Sequence, residues 1–249
     1  MKIIKKLLYQ LLGQDKYLQL LSFLFPYIFN NGLLKNNQEY AFHYFVNNLI
    51  KPTDTVIDIG ANLGYYSGIF AKLTANGGKL ISIEPVLPFY TILQNTINKF
   101  AHCKAYNFAL GKEDKEVVLT IPGNYGYIRT GLASVSDTPL NNSSDFKFPA
   151  AMKNAYPFIN QFSPINYIKC DIEGYESVVI PELRTIFEKQ KPLLQIETSG
   201  DNKIMIQKMM EEIGYECYSL YQGKLVKNLS DDLHYGDYLF VPTNADIIK

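Results

Sequence analysis

Hydrophobic and polar residues alternate in blocks along most of the chain, and the blocks predict strands and helices in turn. From position 54, "TVIDI" is typical of a buried strand, and "LGYYSGIFAKLTA" has the spacing of a helix. The pair recurs as "KLISIE" with "LPFYTILQNTINKF", and "CKAYNFAL" predicts a third strand. Strands that alternate with helices in this way build a parallel sheet with helices on both faces. The predicted fold class is therefore α/β.

The alternation loosens after position 111 and resumes near position 165. "KEVVLTIPGNYG" and "IRTGLASVSD" resemble hairpin strands, and a polar stretch follows them. Strand and helix patterns then return in "INYIKCDIEGYESVVIPELRTIFEK", "PLLQIE" and "DNKIMIQKMMEEIG". Two β-rich runs near the end, "YECYSLYQGKLVKN" and "YGDYLFVP", are close enough to pair antiparallel. We predict one domain at 51–249, with a substrate-side insertion at about 123–164.

Residues 1–50 are predicted to form an N-terminal helical extension. Apolar residues recur at helical spacing in "MKIIKKLLYQLLGQ", with lysines elsewhere around the helix. "NNQEYAFHYFVNNLI" predicts a further helix, with Asn36 or Asn37 as its cap. The apolar runs are shorter than the roughly 18 to 20 residues of a spanning helix. The first segment is expected to pack on the domain or on a second subunit, or to make peripheral contact with a membrane.

Charge and cysteine content narrow the function further. Lys plus Arg equal Asp plus Glu at 24 each, so the chain has no net positive field and nucleic acid is not a predicted partner. Cys103, Cys170 and Cys217 are odd in number and far apart, without a CxxC pair. This pattern favours a cytoplasmic location and no structural zinc.

The turn after the first predicted strand indicates a nucleotide-type cofactor. Gly60 and Gly64 flank Asn62, which stands where the dinucleotide fingerprint has the glycine that lets a pyrophosphate approach. A ligand without phosphates fits this turn better. Glu84 closes the second strand, where a carboxylate can accept hydrogen bonds from both hydroxyls of a ribose. S-adenosyl-L-methionine, an adenosine without pyrophosphate, satisfies both conditions.

Five stretches together resemble the FkbM family of S-adenosylmethionine-dependent methyltransferases. They are "VIDIGANLGYYS", "ISIEP", "YNFALG", "IKCDIEGYE" and "QIE", and the resemblance covers roughly Lys51 to Glu197. It implies a class I methyltransferase (Rossmann-like) sheet of seven strands with the last antiparallel. Because family members are associated with O-methylation of sugars and of polyketides, it implies a small-molecule or glycan acceptor. The expected activity is methylation of a hydroxyl on a glycan or a secondary metabolite.

The resemblance also implies which residues bind the cofactor. The first turn should hold the methionine half, the end of the second strand the ribose, and the residues after the third strand the adenine. In that order these residues are Asp58, Gly60, Asn62, Gly64, Tyr65, Tyr66, Ser67, Glu84, Pro85, Asn107, Phe108 and Ala109. Core packing is an equal alternative for Phe108 and the favoured one for at least one of the two tyrosines.

Asp171 and Glu173 follow the fourth strand, and both carboxylates should open toward the cofactor's sulfur. If the acceptor is a hydroxyl, either carboxylate could take its proton. The alternative is that Asp171 binds the cofactor's ammonium group, while Glu173 and Glu176 hold the turn or cap the next helix. Glu197 could complete a carboxylate trio for Mg²⁺ or Ca²⁺, but a solvated rim is commoner and no metal is predicted.

The remaining candidates concern the acceptor. The insertion offers apolar faces that should grip it, and the resemblance places Ser134 close to the cofactor. The predicted gripping residues are Tyr125, Tyr127, Tyr156 and Phe158. The histidines are isolated in sequence and are expected to be structural, although His43 could reach the cofactor; the others are His102 and His234. Competing functions are a non-catalytic binding module of this fold, anchored through its N-terminal helices, and an NAD-dependent oxidoreductase.

Overall fold

Alternating strands and helices make up most of the computed structural model, which describes residues 2–135, 144–227, 229 and 236–245. The strands are β1 (Thr55–Ile59), β2 (Lys79–Ile83), β3 (Cys103–Tyr106), β4 (Ala109–Gly111), β5 (Lys115–Ile121), β6 (Ser134–Val135), β7 (Phe146–Asn154), β8 (Tyr167–Cys170), β9 (Leu193–Glu197), β10 (Tyr215–Tyr221), β11 (Lys224–Val226) and β12 (Asp237–Pro242). The helices are α1 (Lys2–Asn30), α2 (Ala41–Phe45), α3 (Tyr65–Leu73), α4 (Leu87–Ile97), α5 (Ala155–Asn160), α6 (Glu176–Glu182), α7 (Arg184–Gln190) and α8 (Gly200–Glu212).

Within the described residues, eight strands form the main sheet in the order β11-β10-β12-β9-β8-β1-β2-β3. β9, β8, β1 and β2 are parallel and largely buried, because helices cover both faces, which is why their sequences are mostly apolar. β12 runs antiparallel to both β9 and β10. The predicted α/β class and the antiparallel last strand are confirmed, and β11 is added beyond the seven strands expected.

The register of the sheet brings four loops to one edge. Ile59 pairs with Ile83 and with Cys170, and Cys170 pairs with Ile196. Because these residues lie at or next to the carboxyl ends of parallel strands, the loops after β1, β2, β8 and β9 meet above them. This edge is where open α/β sheets bind ligands.

A second sheet, β4-β7-β5-β6, covers residues that the sequence pattern assigned differently. The predicted third strand over 103–110 is wrong beyond Tyr106, because the chain leaves the main sheet there and pairs as β4 with β7. The predicted strand at 115–121 pairs with β6, as a hairpin would, but also with the nine-residue β7. β7 lies in the stretch read as polar, so the insertion is a sheet.

The N-terminal extension packs on the domain as a helix bent at Gly13, whose φ is 72°. Three residues of this helix, Tyr17, Leu18 and Phe25, are buried. The predicted cap at Asn37 is present, since its side chain accepts a hydrogen bond from the Glu39 amide at 3.1 Å. None of the described helices combines the length and the apolarity needed to cross a membrane.

Candidate active site

A narrow cavity opens at the carboxyl edge of the main sheet, between the loop after β1 and the second sheet. Its floor includes Gly60, Asn62 and Glu84, and one wall is formed by Thr130 and Gly131. Free space inside it is about 60 Å³. The Asn62 side chain donates a hydrogen bond to the Thr130 backbone carbonyl, which holds that wall against the floor.

Backbone geometry explains the first turn residue by residue. The amides of Gly60 and Ala61 both donate to the Ile83 carbonyl at 3.0 Å, which fastens the turn to β2. Asn62 adopts a left-handed φ of 52°, a conformation that asparagine tolerates better than most residues. Its amide then points at Glu84 and donates to Oε2 at 2.8 Å. The turn thus positions the carboxylate that was predicted to bind a ribose.

Position 60 requires glycine because neighbouring backbone atoms leave no room for a side chain. A Cβ at this position would lie 1.8 Å from the Asp171 carbonyl oxygen, and its φ is 79°. We expect Gly60→Ala to lower the free energy of unfolding by more than about 2 kcal/mol in urea titrations. Gly223→Ala is the matched control, because it has a similar φ but nothing within 4 Å, and should cost about 1 kcal/mol. Equal losses in both variants would contradict the steric argument.

Glu84 is buried, with 4% of its surface exposed, and lines the cavity. Oε1 accepts a hydrogen bond from the Val86 amide at 2.8 Å, in addition to the bond of Oε2 with Asn62. Burial, followed by the nearby carboxylates of Asp58 and Asp171, raises the pKa of Glu84 to about 7 despite these two bonds. Each carboxylate oxygen keeps further acceptor capacity for a ligand hydroxyl.

The predicted adenine side is partly assembled. Pro85, Phe108 and Ala109 line the cavity, together with the apolar Phe89 and Leu110. Asn107 does not line it. Its side-chain amide donates to the carbonyls of Glu84 and Pro85, at 2.9 Å each, and so fixes the loop that carries Glu84.

The start of α3 is not part of the described cavity lining, so cofactor binding by Gly64, Tyr65, Tyr66 and Ser67 stays a prediction. Gly64 allows α3 to approach α4, because a Cβ there would lie 3.1 Å from Leu93. Tyr65 stacks on Phe25 of α1 with ring centroids 4.1 Å apart. Tyr66 and Ser67 are buried and face the sheet and the extension. These residues join α3 to its surroundings.

A polar row crosses the centre of the otherwise apolar sheet, and sequence reasoning missed it. Ser82, Asp58, Lys169 and Gln195 stand in register on β2, β1, β8 and β9. Ser67 donates to Asp58 Oδ2 at 2.6 Å, while Asp58 Oδ1 has no partner among the described residues. Burial, only partly offset by Lys169 and Ser67, raises the pKa of Asp58. A lysine in the buried strand "YIKC" was the available signal.

Lys169 is the charge that holds this row together. Its side chain is 2% exposed, and Nζ lies 3.0 Å from Asp171 Oδ2 and 4.7 Å from the ring centroid of Tyr66. Burial alone would lower its pKa, but Asp171, Asp237 and Asp58 outweigh burial and raise it. Asp237 in turn accepts hydrogen bonds from Tyr66, at 3.1 Å, and from Gln195. The carboxylate of Asp171 is therefore tied to the core through a buried ion pair.

Asp171 and Glu173 line both the cavity and an adjoining cleft of about 580 Å³. The turn that carries them is held by Glu176, whose Oε1 accepts from the amides of Ile172, at 2.8 Å, and Gly174, at 3.2 Å. Partial burial, then Asp171, Glu197 and Glu176, raises the pKa of Glu173 to about 8. Of the alternatives left open by the sequence, Glu176 holds the turn, and Glu173 faces the space between cavity and cleft.

The remaining candidates from the sequence are the carboxylate trio and the three histidines. Across the residues the structure describes, no group of three or more His, Cys, Asp or Glu side chains could hold a metal ion, so the carboxylate trio does not form one. His43 stacks on Tyr66 at 3.8 Å, and burial, then Lys169, lowers its pKa to about 3. His102 lies 3.1 Å from the Ala71 carbonyl. His234 falls outside the described residues.

The aromatic residues of the insertion are placed differently from the prediction. Tyr127 is buried against Tyr17, and Phe158 packs edge-on to Phe108 at 4.7 Å. Neither they nor Tyr125 and Tyr156 are among the described residues that line the cavity or the cleft. Ser134 does not line the cavity either, whereas Ala133 and Val135 on each side of it do.

Comparisons with known proteins agree with this architecture. The family model of the methyltransferase FkbM domain matches residues 58–217, which is more than half of the chain. The crystal structure of methyltransferase FkbM from Methylobacillus flagellatus KT has a TM-score of 0.50 at 15% identity, over 77% of this chain and 44% of that one. Growth-differentiation transition protein 7 of Dictyostelium discoideum is 31% identical over 102 residues, which are 39% of this chain and 12% of that protein. The chain thus spans less than half the length of either relative.

The sheet order, the antiparallel β12 and the cavity at the ends of β1 and β2 define a class I methyltransferase. The chain belongs to the methyltransferase FkbM domain family. The family match supports S-adenosyl-L-methionine as the cofactor, as the sequence predicted. The donor set fits this cofactor: Glu84 offers acceptors for ribose hydroxyls, apolar side chains flank a base, and Asp171 offers a carboxylate for an ammonium group.

Proposed function

We propose that the protein transfers a methyl group to a hydroxyl of a glycan or secondary metabolite. The observation that carries this proposal is the shared wall formed by Asp171 and Glu173, which border both the cofactor cavity and the 580 Å³ cleft. S-adenosyl-L-methionine supplies a methyl group already activated by a positive sulfur. The protein must then align an acceptor and exclude water.

Glu173 is the residue we assign to the acceptor's proton. The charge of Asp171 is already paired with Lys169, at 3.0 Å, and Glu176 is occupied by two backbone amides. Glu173 carries a pKa of about 8, so its ionised form is a stronger base than an ordinary carboxylate. A hydroxyl bound in the cleft could donate its proton to Glu173 as the new bond forms. Asp171 would then position the cofactor, and it would not accept the proton.

The cleft supports a hydroxylated acceptor. Its lining is polar and rich in carboxylates, which accept hydrogen bonds from hydroxyl groups. Thr198 adds a hydroxyl that is buried without a partner in the described part of the chain. An acceptor with several hydroxyls would satisfy these groups.

Glu84→Gln tests the cofactor site. Glutamine replaces one oxygen by an NH₂ group that would face a backbone amide, and it removes the charge that strengthens bonds to ribose hydroxyls. We expect the affinity for S-adenosyl-L-methionine in calorimetry to fall by about 10- to 100-fold, the value of one or two charge-assisted hydrogen bonds. Glu188→Gln, an exposed glutamate of α7, is the control and should bind normally. Unchanged binding by Glu84→Gln would remove Glu84 from the site.

The reaction itself is tested by incubating the protein and S-adenosyl-L-methionine with a panel of hydroxylated sugars and polyketides, and detecting methylated products by mass spectrometry. Turnover of a hydroxyl compound is the expected result. Cofactor binding without turnover across the panel would favour the non-catalytic module.

A cytoplasmic location remains part of the proposal and is supported by the three free cysteines.

A further inference from the structure

The first turns of α1, before the bend at Gly13, carry apolar side chains on two sides. One side packs on the protein: Leu8, Tyr9 and Leu12 lie against the cluster that includes Tyr17 and Tyr127. Ring contacts support this packing, since Tyr9 meets Tyr17 edge-on with centroids 5.4 Å apart. The segment is therefore held in place, and its orientation is fixed relative to the domain.

The other side of the same segment faces solvent. Ile3, Ile4, Leu7 and Leu11 are 76%, 62%, 53% and 81% exposed. Positions 3, 7 and 11 are four residues apart, and positions 4 and 11 are seven apart, so these side chains form one stripe along the helix. We call these four residues the outward stripe. A contiguous run of large aliphatic side chains in water marks an interaction surface.

Charge identifies the partner. The first sixteen residues contain Lys2, Lys5, Lys6 and Lys16 but a single acid, Asp15, although the whole chain has 24 residues of each sign. Lys5 and Lys6 are exposed, and the Lys6 side chain lies next to Gly126 of the insertion. Lys5 also lines a hollow that contains one further base, Arg129, and one acid, Glu39. The segment that carries the stripe is therefore basic, within a chain that is neutral overall.

We propose that the outward stripe docks this protein on an anionic lipid bilayer. The aliphatic side chains enter the boundary between headgroups and acyl chains, and the lysines pair with the anionic headgroups. A second copy of the chain fits less well. A symmetric pairing through the stripe would bring the lysines of both copies together, with only Asp15 of each copy to compensate them.

Vesicle flotation of the full chain tests the proposal. We expect binding to vesicles of phosphatidylcholine mixed with phosphatidylserine, weak binding to phosphatidylcholine alone, and loss of binding at high salt. Leu7→Glu with Leu11→Glu should lower the partition coefficient by about tenfold or more, since two aliphatic side chains no longer enter the bilayer. Lys5→Gln and Lys6→Gln should each lower it by about fivefold.

The matched control is Met205→Glu on α8, which replaces an apolar residue that is 42% exposed away from α1. It should bind vesicles like the unchanged protein. The exposed positions tolerate substitution, and circular dichroism with cofactor calorimetry checks that each variant folds. Failure of the unchanged protein to bind the mixed vesicles, or full binding by the double glutamate variant, would overturn the proposal. A dimer in sedimentation that Leu11→Glu dissociates, without vesicle binding, would assign the stripe to a second copy.

Discussion

Replacing Glu173 by glutamine is expected to lower kcat by about 10²- to 10⁴-fold, the usual contribution of a general base, with the affinity for S-adenosyl-L-methionine unchanged. Glutamine keeps the shape of the side chain and cannot take a proton. The hydrogen bonds of the turn go to Glu176 and the ion pair to Asp171, so the substitution leaves the local fold intact. Steady-state kinetics and calorimetry measure the two quantities separately.

The pH profile gives an independent check on the same residue. The carboxyl of Glu173 has a pKa raised to about 8, and only its ionised form accepts a proton. We therefore expect kcat/KM to rise about tenfold per pH unit below that pKa and to level above it. In the glutamine variant this rise should be absent.

Glu197→Gln is the matched control, because Glu197 lines the same cleft and its pKa is raised to about 7, by burial and then by Asp171 and Asp237. It should change kcat only a few-fold. Removing its negative charge should also lower the pKa of Glu173, and so shift the pH profile to lower pH. Full activity of Glu173→Gln, or a large loss in Glu197→Gln alone, would contradict the assignment.

Lys169→Met is expected to lower the free energy of unfolding by about 3 to 5 kcal/mol, the usual cost of breaking a buried ion pair from one side. Methionine fills much of the space of the lysine stem but leaves Asp58, Asp171 and Asp237 without their shared cation. The loss of stability is measured by urea denaturation. Lys104→Met on β3, an exposed strand lysine, is the control and should change stability by less than about 0.5 kcal/mol.

The loss of stability in Lys169→Met should become smaller as the pH falls. The pKa values of Asp58 and Asp237 are already raised, chiefly by burial, and both lie above the values in the unfolded chain. Without Lys169 they rise further, so the native state binds protons more readily than the unfolded state. Stability then increases as pH falls toward the folded pKa values, and the deficit against the unchanged protein shrinks. A deficit that stays constant with pH would mean that lost packing, and not charge, is its cause.

Local sequence patterns were sufficient for the main sheet. β1, β2, β8 and β9 are each mostly apolar and followed by a helix, so the type of each element could be predicted from short windows. The second sheet was missed because β7 contains Pro149 and follows polar residues. Its alternation of Phe146, Phe148, Ala150 and Met152 is a strand signal, but the polar surroundings obscured it. The length of β3 was overestimated because the chain changes sheets without any break in its apolar pattern.

The candidate site could be predicted where its residues directly follow the ends of strands. Gly60, Asn62 and Glu84 sit directly after β1 and β2, so their positions followed from the strands alone. The packing of Tyr65, Tyr66 and Ser67 could not be predicted, because the face that a helix turns to its neighbours depends on the N-terminal extension. Lys169 and Gln195 meet only through the register of β8 and β9, which one sequence does not specify.

The hydrogen bond from Asn62 to the Thr130 carbonyl links the loop after β1, which is predicted to bind the methyl donor, to the insertion. Because this bond closes the cavity on the side of residues 130–131, we expect exchange of the cofactor to require that the bond opens. Such gating sets the pace of many enzymes whose chemical step is fast. Asn62, which stands where a pyrophosphate-binding turn has glycine, is thus also placed to control the exchange of used cofactor for a fresh molecule.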